Sequence, residues 1–225
     1  MITFHIITLF PEAIEDYLHA SILGRAEKEK IIKFDLVNLR KFGLGLHKKV
    51  DDRPFGGGPG MVLKIEPIIA AVGSILNPKS KILNPKQIRI SKSKKRKTRI
   101  ILFSTRGRVF TQKEAKRLSR YSDLVFICGR YEGVDERVAK HIADEELSLG
   151  DFVLAGGELP ALVATEAVSR HLKGVLGKYE SLEDIKGFYP VYTRPEKFGR
   201  WKVPKVLLGG NHKKIAEWRR KRGNK

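Results

Sequence analysis

The hydrophobic pattern changes period several times along the chain, and each change marks an element. Residues 2–8 are apolar and β-branched, which predicts a buried strand. Pro11 then opens a helical stretch over residues 12–29. Phe34, Leu36 and Val37 mark a second strand in residues 33–39. Residues 65–76 carry a helical period with Pro67 in the first turn. From there strands and helices alternate: a strand at 100–103, a helix at 111–120 with Thr111 as N-cap and Glu114 completing a capping box, and a strand at 124–128. A helix at 134–141, an extended segment at 146–154, and a helix at 159–172 with Pro160 in its first turn follow. Strands alternating with helices predict an α/β domain on a mostly parallel sheet.

Three segments lack this periodicity. Residues 41–60 are rich in Gly, Asp and Arg, and a loop of that length in a compact domain is usually functional. Residues 77–99 hold Pro78, Pro85 and the run Lys92-Ser93-Lys94-Lys95-Arg96-Lys97, which reads as a basic insertion, either a solvated loop or an RNA contact. Residues 174–195 contain Gly, Pro and Tyr with weak periodicity and read as a linker. The chain closes on a basic helix over residues 211–225, with Trp218 and Ile215 forming an apolar stripe opposite Lys213, Lys214, Arg219, Arg220 and Arg222.

Charge adds a partner. The 225 residues include 45 Lys and Arg against 25 Asp and Glu, a net charge of +20. Such a surface gains from releasing the counterions of a polyanion, above all a nucleic acid. No apolar run approaches the roughly 20 residues that span a bilayer, so no membrane partner is expected. The first residues carry neither a basic leader nor a small-residue cleavage site, so a secretory signal is not expected. Cys128 is the single cysteine, which excludes an intramolecular disulfide and speaks against a cysteine-rich zinc site. The composition suits a reduced cytoplasm.

Common catalytic signatures are missing. There is no dinucleotide-binding Gly-x-Gly-x-x-Gly between strand and helix, no P-loop, no His-Glu-x-x-His and no Gly-x-Ser-x-Gly. Instead, three glycine loops each follow a predicted strand: Ser104-Thr105-Arg106-Gly107-Arg108, Cys128-Gly129-Arg130-Tyr131-Glu132-Gly133, and Leu149-Gly150-Asp151-Phe152-Val153-Leu154-Ala155-Gly156-Gly157-Glu158. Open α/β sheets bind ligands outside the carboxyl ends of their strands, where these loops lie. Glycine lets backbone approach a ligand closely.

These loops, together with Val50-Asp51-Asp52-Arg53-Pro54-Phe55-Gly56-Gly57-Gly58-Pro59-Gly60-Met61, resemble the TrmD family of bacterial tRNA (guanine-N1)-methyltransferases, of the SPOUT class. The opening Ile7-Thr8-Leu9-Phe10-Pro11-Glu12, Val168-Ser169-Arg170, Gly174-Val175-Leu176-Gly177, Tyr192-Thr193-Arg194-Pro195 and the segment from Pro204 to His212 fit too, in the family's order. The resemblance implies a mostly parallel sheet with helices on both faces and a deep C-terminal trefoil knot. Its domains are expected at 1–173 (knotted, binding S-adenosylmethionine), 174–193 (linker) and 194–225 (a shortened, basic, helical tRNA-binding domain). It implies a homodimer whose active sites are shared between subunits, methyl transfer from S-adenosyl-L-methionine to N1 of guanosine 37 of tRNA, and magnesium as a further candidate. A SPOUT enzyme acting on another RNA, or a non-catalytic RNA-binding relative, are the competing readings.

Residue by residue, the resemblance assigns cofactor contacts to Gly129, Tyr131, Glu132, Gly133, Leu149, Gly150, Asp151, Phe152, Val153, Leu154, Gly156 and Gly157. Leu149, Phe152 and Leu154 would sandwich adenine, with core packing as the alternative. Asp52 and Arg53 match positions that handle the target guanosine, and read equally as a surface ion pair. Guanine N1 carries a proton, so methylation needs a base for it and a donor for charge developing on O6. Asp184 aligns with the family's base and Arg170 with its helix-borne arginine. By residue type alone, Asp184 also reads as a helix cap and Arg170 as a charge facing a helix dipole. Glu183 is the adjacent carboxylate. The chain departs from the family's Ser-Pro-Gln-Gly-Arg at Ser104-Thr105-Arg106-Gly107-Arg108, and its segment between Asp184 and Tyr192 is shorter.

Overall fold

The computed structural model describes residues 1–77, 97–176 and 189–223. It divides into two compact units, Met1–Val175 and Leu176–Lys225.

The first unit is built on a five-stranded sheet. Its strands are β1 (Ile2–Thr8), β2 (Ile32–Asn38), β5 (Thr98–Val109), β6 (Asp123–Ile127) and β7 (Glu145–Ser148), in the order β2-β1-β6-β5-β7. Every pairing is parallel. Strand side chains alternate between faces, and the core splits accordingly. Ile2, Phe4 and Ile6 of β1 join Leu124 and Phe126 of β6 on one face, under Leu23 and Ala26 of helix α2 (Ser21–Lys28), Ala115 and Leu118 of α4 (Gln112–Leu118), and Ala161 and Ala164 of α6 (Glu158–Ser169). Ile7, Val125 and Ile127 face the other way, toward Ile68, Ala71 and Val72 of α3 (Ile65–Leu76) and Val138 of α5 (Glu136–His141). Helices thus cover both faces, as expected for a buried parallel sheet. Residues 51–52 and 62–63 form a separate antiparallel pair, β3 with β4.

Four local expectations are corrected. The first helical stretch is not continuous: it breaks into a 3-10 turn at Pro11–Ala13, a four-residue helix α1 at Glu15–Leu18, and α2. Ser21 has φ of +50°, and a Cβ on Gly24 would strike the His19 carbonyl, so the chain turns there. Thr111 occupies the N-cap of α4 but makes no side-chain cap bond. Glu114 is instead buried and drawn to Arg108 and Arg117, at 2.8 and 2.7 Å, because charge pairing outweighs a local box. The loop expected at residues 104–108 belongs to β5. Leu147 is opposed by both Phe103 and Arg108, so residues 104–107 bulge out of the ladder. The last extended segment is a strand over Glu145–Ser148 alone.

The second unit contains a hairpin of β8 (Lys197–Phe198) and β9 (Trp201–Lys202), the short helix α7 (Lys205–Leu208) and the basic helix α8 (His212–Gly223). The side chain of Asn211 accepts from Lys214 N at 3.1 Å at the start of α8. The expected stripe on this helix finds a partner, since Trp218 packs on Tyr192 at 6.3 Å between ring centres.

Candidate active site

A cleft of about 560 Å3 opens at the carboxyl ends of β5, β6 and β7. Three loops wall it: the β5 bulge with Ser104, Thr105 and Arg106, the segment 129–134 after β6, and the segment 149–157 after β7. Of the residues expected to hold a cofactor, Gly129, Tyr131, Glu132, Gly133, Leu149, Phe152, Val153, Leu154, Gly156 and Gly157 line it. Gly150 and Asp151 are not among its lining residues. Phe152 and Val153 are 54% and 84% exposed, so they are not core residues, and their apolar surface is available to a ligand.

Close backbone approach sets the floor. Gly157 N donates to the Gly129 carbonyl at 2.9 Å, and a Cβ on Gly157 would lie 2.6 Å from Cys128 Cα. A Cβ on Gly156 would collide with Arg130 Nε and Glu158 Oε2. Those two groups form an ion pair at 3.0 Å under the cleft. Glu158 is buried, and its Oε1 accepts from the Thr8 hydroxyl at 2.6 Å. The Arg130 guanidinium also lies 4.7 Å from the centre of the Phe10 ring. Cys128 sits behind this pair. Burial, and then Glu158, push its thiol up, which leaves no thiolate for chemistry.

The loop after β6 is held in shape by its neighbour. Glu132 N donates to the Met61 carbonyl at 3.0 Å, Leu63 N to Gly133 O at 3.0 Å, and Asp135 N to Leu63 O at 3.0 Å. A Cβ on Gly60 would lie 2.5 Å from Glu132 Cγ. The glycine-rich segment ending at Gly60 and Met61 therefore packs against the carboxylate side of the cleft. Asp52 and Arg53 stand one strand away, on β3 and just beyond it, and do not line the cleft. Asp52 accepts from Arg53 N at 2.9 Å and from Lys64 Nζ at 3.2 Å, and these bonds hold its exposed carboxyl below the ordinary range.

Of the expected catalytic pair, only Arg170 lies among the described residues. Arg170 is the C-cap of α6, at the opposite end from Gly157. A 12-residue helix separates them, about 18 Å at 1.5 Å per residue. Asp184, Glu183, the basic run at 92–96 and most of the expected linker lie outside the described residues.

Several lining residues were not among those expected. Arg106 donates to Glu136 at 2.6 Å and lies 3.8 Å from Glu146, so it joins β5, α5 and β7 at the cleft. Arg130, Glu136 and Glu146 line it too. Arg130 sits inside the second glycine motif, so its place was legible. Glu136 and Glu146 have no local signal, because tertiary packing alone brings them to the mouth.

The model of the family described as tRNA (guanine-1)-methyltransferase TrmD matches residues 2–225. The chain belongs to the TrmD family. Among relatives named tRNA (guanine-N(1)-)-methyltransferase, it is 47% identical to that of Bacillus pumilus, over 96% of this chain and 84% of that protein. It is 48% identical to that of Desulfitobacterium hafniense, over 97% of this chain and 78% of that one. With that of Clostridioides difficile it shares 45%, over 96% and 90%. Ten of the twelve residues that the resemblance assigned to a cofactor line the cleft of this TrmD-family chain.

Proposed function

We propose that this protein is a tRNA (guanine-N1)-methyltransferase that uses S-adenosyl-L-methionine and acts on guanosine 37. The observation that carries this reading is the glycine-walled cleft at the carboxyl ends of three parallel strands in a TrmD-family chain. Its volume falls in the range of small-molecule sites. Leu149, Phe152 and Leu154 offer apolar surface to an adenine ring, and Gly129 and Gly157 bring backbone polar groups to the floor. Glu132, Glu136 and Glu146 give the lining a carboxylate excess over Arg106 and Arg130, which suits a cationic ligand. When bound, S-adenosylmethionine supplies an electrophilic methyl group.

The chain's own residues handle the guanine. Asp184 takes the N1 proton and Arg170 donates to O6. Asp52 and Arg53 hold the target nucleoside beside Glu132. The helix length between Arg170 and Gly157 supports a site completed by a second subunit, hence a homodimer of C2 symmetry. The knot of the SPOUT class belongs to the same reading. It rests on the chain's membership of the TrmD family. The basic second unit and the segment 77–99 serve tRNA, and the protein works in the cytoplasm. Among the described residues no helix is long and apolar enough to cross a membrane. Among them, too, there is no group of three or more His, Cys, Asp or Glu that could hold a metal ion.

The test is direct. Incubation with methyl-labelled S-adenosylmethionine and unmodified tRNA, followed by nucleoside mass spectrometry, should give labelled 1-methylguanosine that maps to position 37. Label in another nucleoside, or none, overturns the reading.

A further inference from the structure

The second unit leaves two large aromatic rings unburied. Phe198 and Trp201 oppose each other across the β8–β9 hairpin, stacked at 6.1 Å between centres with 20° between planes. They are 68% and 75% exposed. The contrast lies in the same unit, where Trp218 is half-buried, packed on Tyr192 and flanked by Arg222 at 5.9 Å. The connection between the strands is two residues, Gly199 and Arg200, with φ of +58° at Gly199, as a type II′ turn requires. It holds both rings on one face.

The hairpin also carries a charge arrangement that costs stability. Lys197 and Lys202 are directly opposed, and like charges so placed repel. Arg200 sits in the turn and Lys205 begins α7. Glu196 and Glu217 are the only carboxylate side chains among residues 189–223, against Arg194, Arg219, Arg220 and the cations just named. A cross-strand aromatic pair contributes only about 0.2–1 kcal/mol to a hairpin. Holding two rings in water on one face of the hairpin, with repelling lysines on the other, therefore has little purpose within the chain itself. Both costs are offset by one kind of partner, which has a flat π face and a negatively charged backbone.

We propose that the Phe198–Trp201 pair is a stacking platform for an unpaired base of the RNA substrate, with Lys197, Arg200 and Lys202 on flanking phosphates. This rests on the tRNA-methyltransferase reading for the identity of the RNA. A second copy of the hairpin is the disfavoured occupant, because residues 189–223 carry many cations against Glu196 and Glu217 and two such units repel.

The chain has two tryptophans, so Trp218→Phe in the full-length protein leaves Trp201 as sole reporter. Unmodified tRNA and a short single-stranded RNA should both quench its fluorescence, and a fully paired RNA duplex should not. Phe198→Ala and Trp201→Ala should each weaken tRNA binding about 5- to 150-fold, the range of one base stack. The salt dependence of binding should stay as in the parent, since phosphate contacts remain, whereas Lys197→Ala with Lys202→Ala should flatten it. Trp201→Tyr should retain most of the affinity, which distinguishes lost stacking from a damaged hairpin. Affinity for S-adenosylmethionine should be unchanged throughout. Absent quenching, or unchanged tRNA affinity in both alanine variants, overturns the platform. A Trp201→Ala variant that changes oligomeric state but not RNA affinity assigns the face to a second copy and also overturns it. Either result leaves methyl transfer itself, read by nucleoside analysis, intact.

Discussion

Arg130 and Glu158 form an ion pair at 3.0 Å beneath the cleft, linking the loop after β6 to the first turn of α6. Thr8 on β1 donates to the same carboxylate, so the pair joins three elements at the carboxyl end of the sheet. Removing one partner of a buried pair leaves the other uncompensated, at a cost of about 3–5 kcal/mol. Arg130→Ala should lower stability toward the smaller end of that range, since its side chain is 23% exposed. Urea unfolding of Arg130→Ala, Glu158→Leu and the double variant checks this. The double variant should recover part of the loss, and strict additivity would show that the pair is not coupled.

Gly157→Ala places a methyl group 2.6 Å from Cys128 Cα, where backbone rather than a flexible side chain must move. The expected result is destabilisation of about 1–3 kcal/mol, with affinity for S-adenosylmethionine lost by calorimetry. Gly199→Ala, in the other unit with open space around it, is the control and should leave that affinity unchanged. Equal affinities in all three proteins would remove Gly157 from the site.

Glu145 is the hub of a second charge cluster. It meets Arg99 at 2.7 Å, Arg117 at 2.7 Å and Arg108 at 2.8 Å. Burial pushes its carboxyl up, but Arg117 and Arg99 outweigh burial and hold it below the ordinary range. A depressed folded value means that the unfolded chain binds the proton more readily. The stabilisation is therefore complete above the unfolded value, about 4.3, and is lost as pH falls through the folded one. Thermal midpoints should place Glu145→Gln well below the parent at neutral pH, and the gap should narrow in acid below about pH 4. A gap that does not change with pH would separate the loss from titration of Glu145.

Asp184→Asn retains size and hydrogen bonding but cannot accept the N1 proton. Single-turnover methylation at saturating tRNA and cofactor should fall by about 10²–10⁴, the usual worth of a general base. Both ligands should still bind. Arg170→Ala should also be slow, through loss of the O6 donor. Glu183→Gln is the comparison: a collapsed rate there, with a near-normal rate for Asp184→Asn, would transfer the role to Glu183.

If Arg170 and Asp184 serve the cleft of the other subunit, heterodimers can separate the halves of the site. Mixing Gly157→Ala chains with Asp184→Asn chains should restore part of the activity that each homodimer lacks. No recovery after subunit exchange, followed by mass, would argue that one chain builds each site.

The sequence by itself determined the fold class, the run of elements and most of the cleft. Near-continuous apolar runs such as residues 2–8 bury both faces, as in a parallel sheet covered by helices, and helices of period 3.6 stand between them. Gly133, with φ of +121°, marks a place where the backbone has left the ordinary region, a condition written locally, whereas Gly156 and Gly157 lack room because Arg130 and Cys128, more than 25 residues away, press on them. Only the tertiary structure decided what depends on distant neighbours. The bulge at residues 104–107 arises because Phe103 and Arg108 both oppose Leu147, more than 30 residues away. Glu114 left its expected capping box because Arg108 and Arg117 converge on it. Arg106, Glu136 and Glu146 became one corner of the cleft through the packing of three separate elements. Charge pairing and ladder register act through space, and a local pattern of apolar and polar residues does not record which distant partner will arrive.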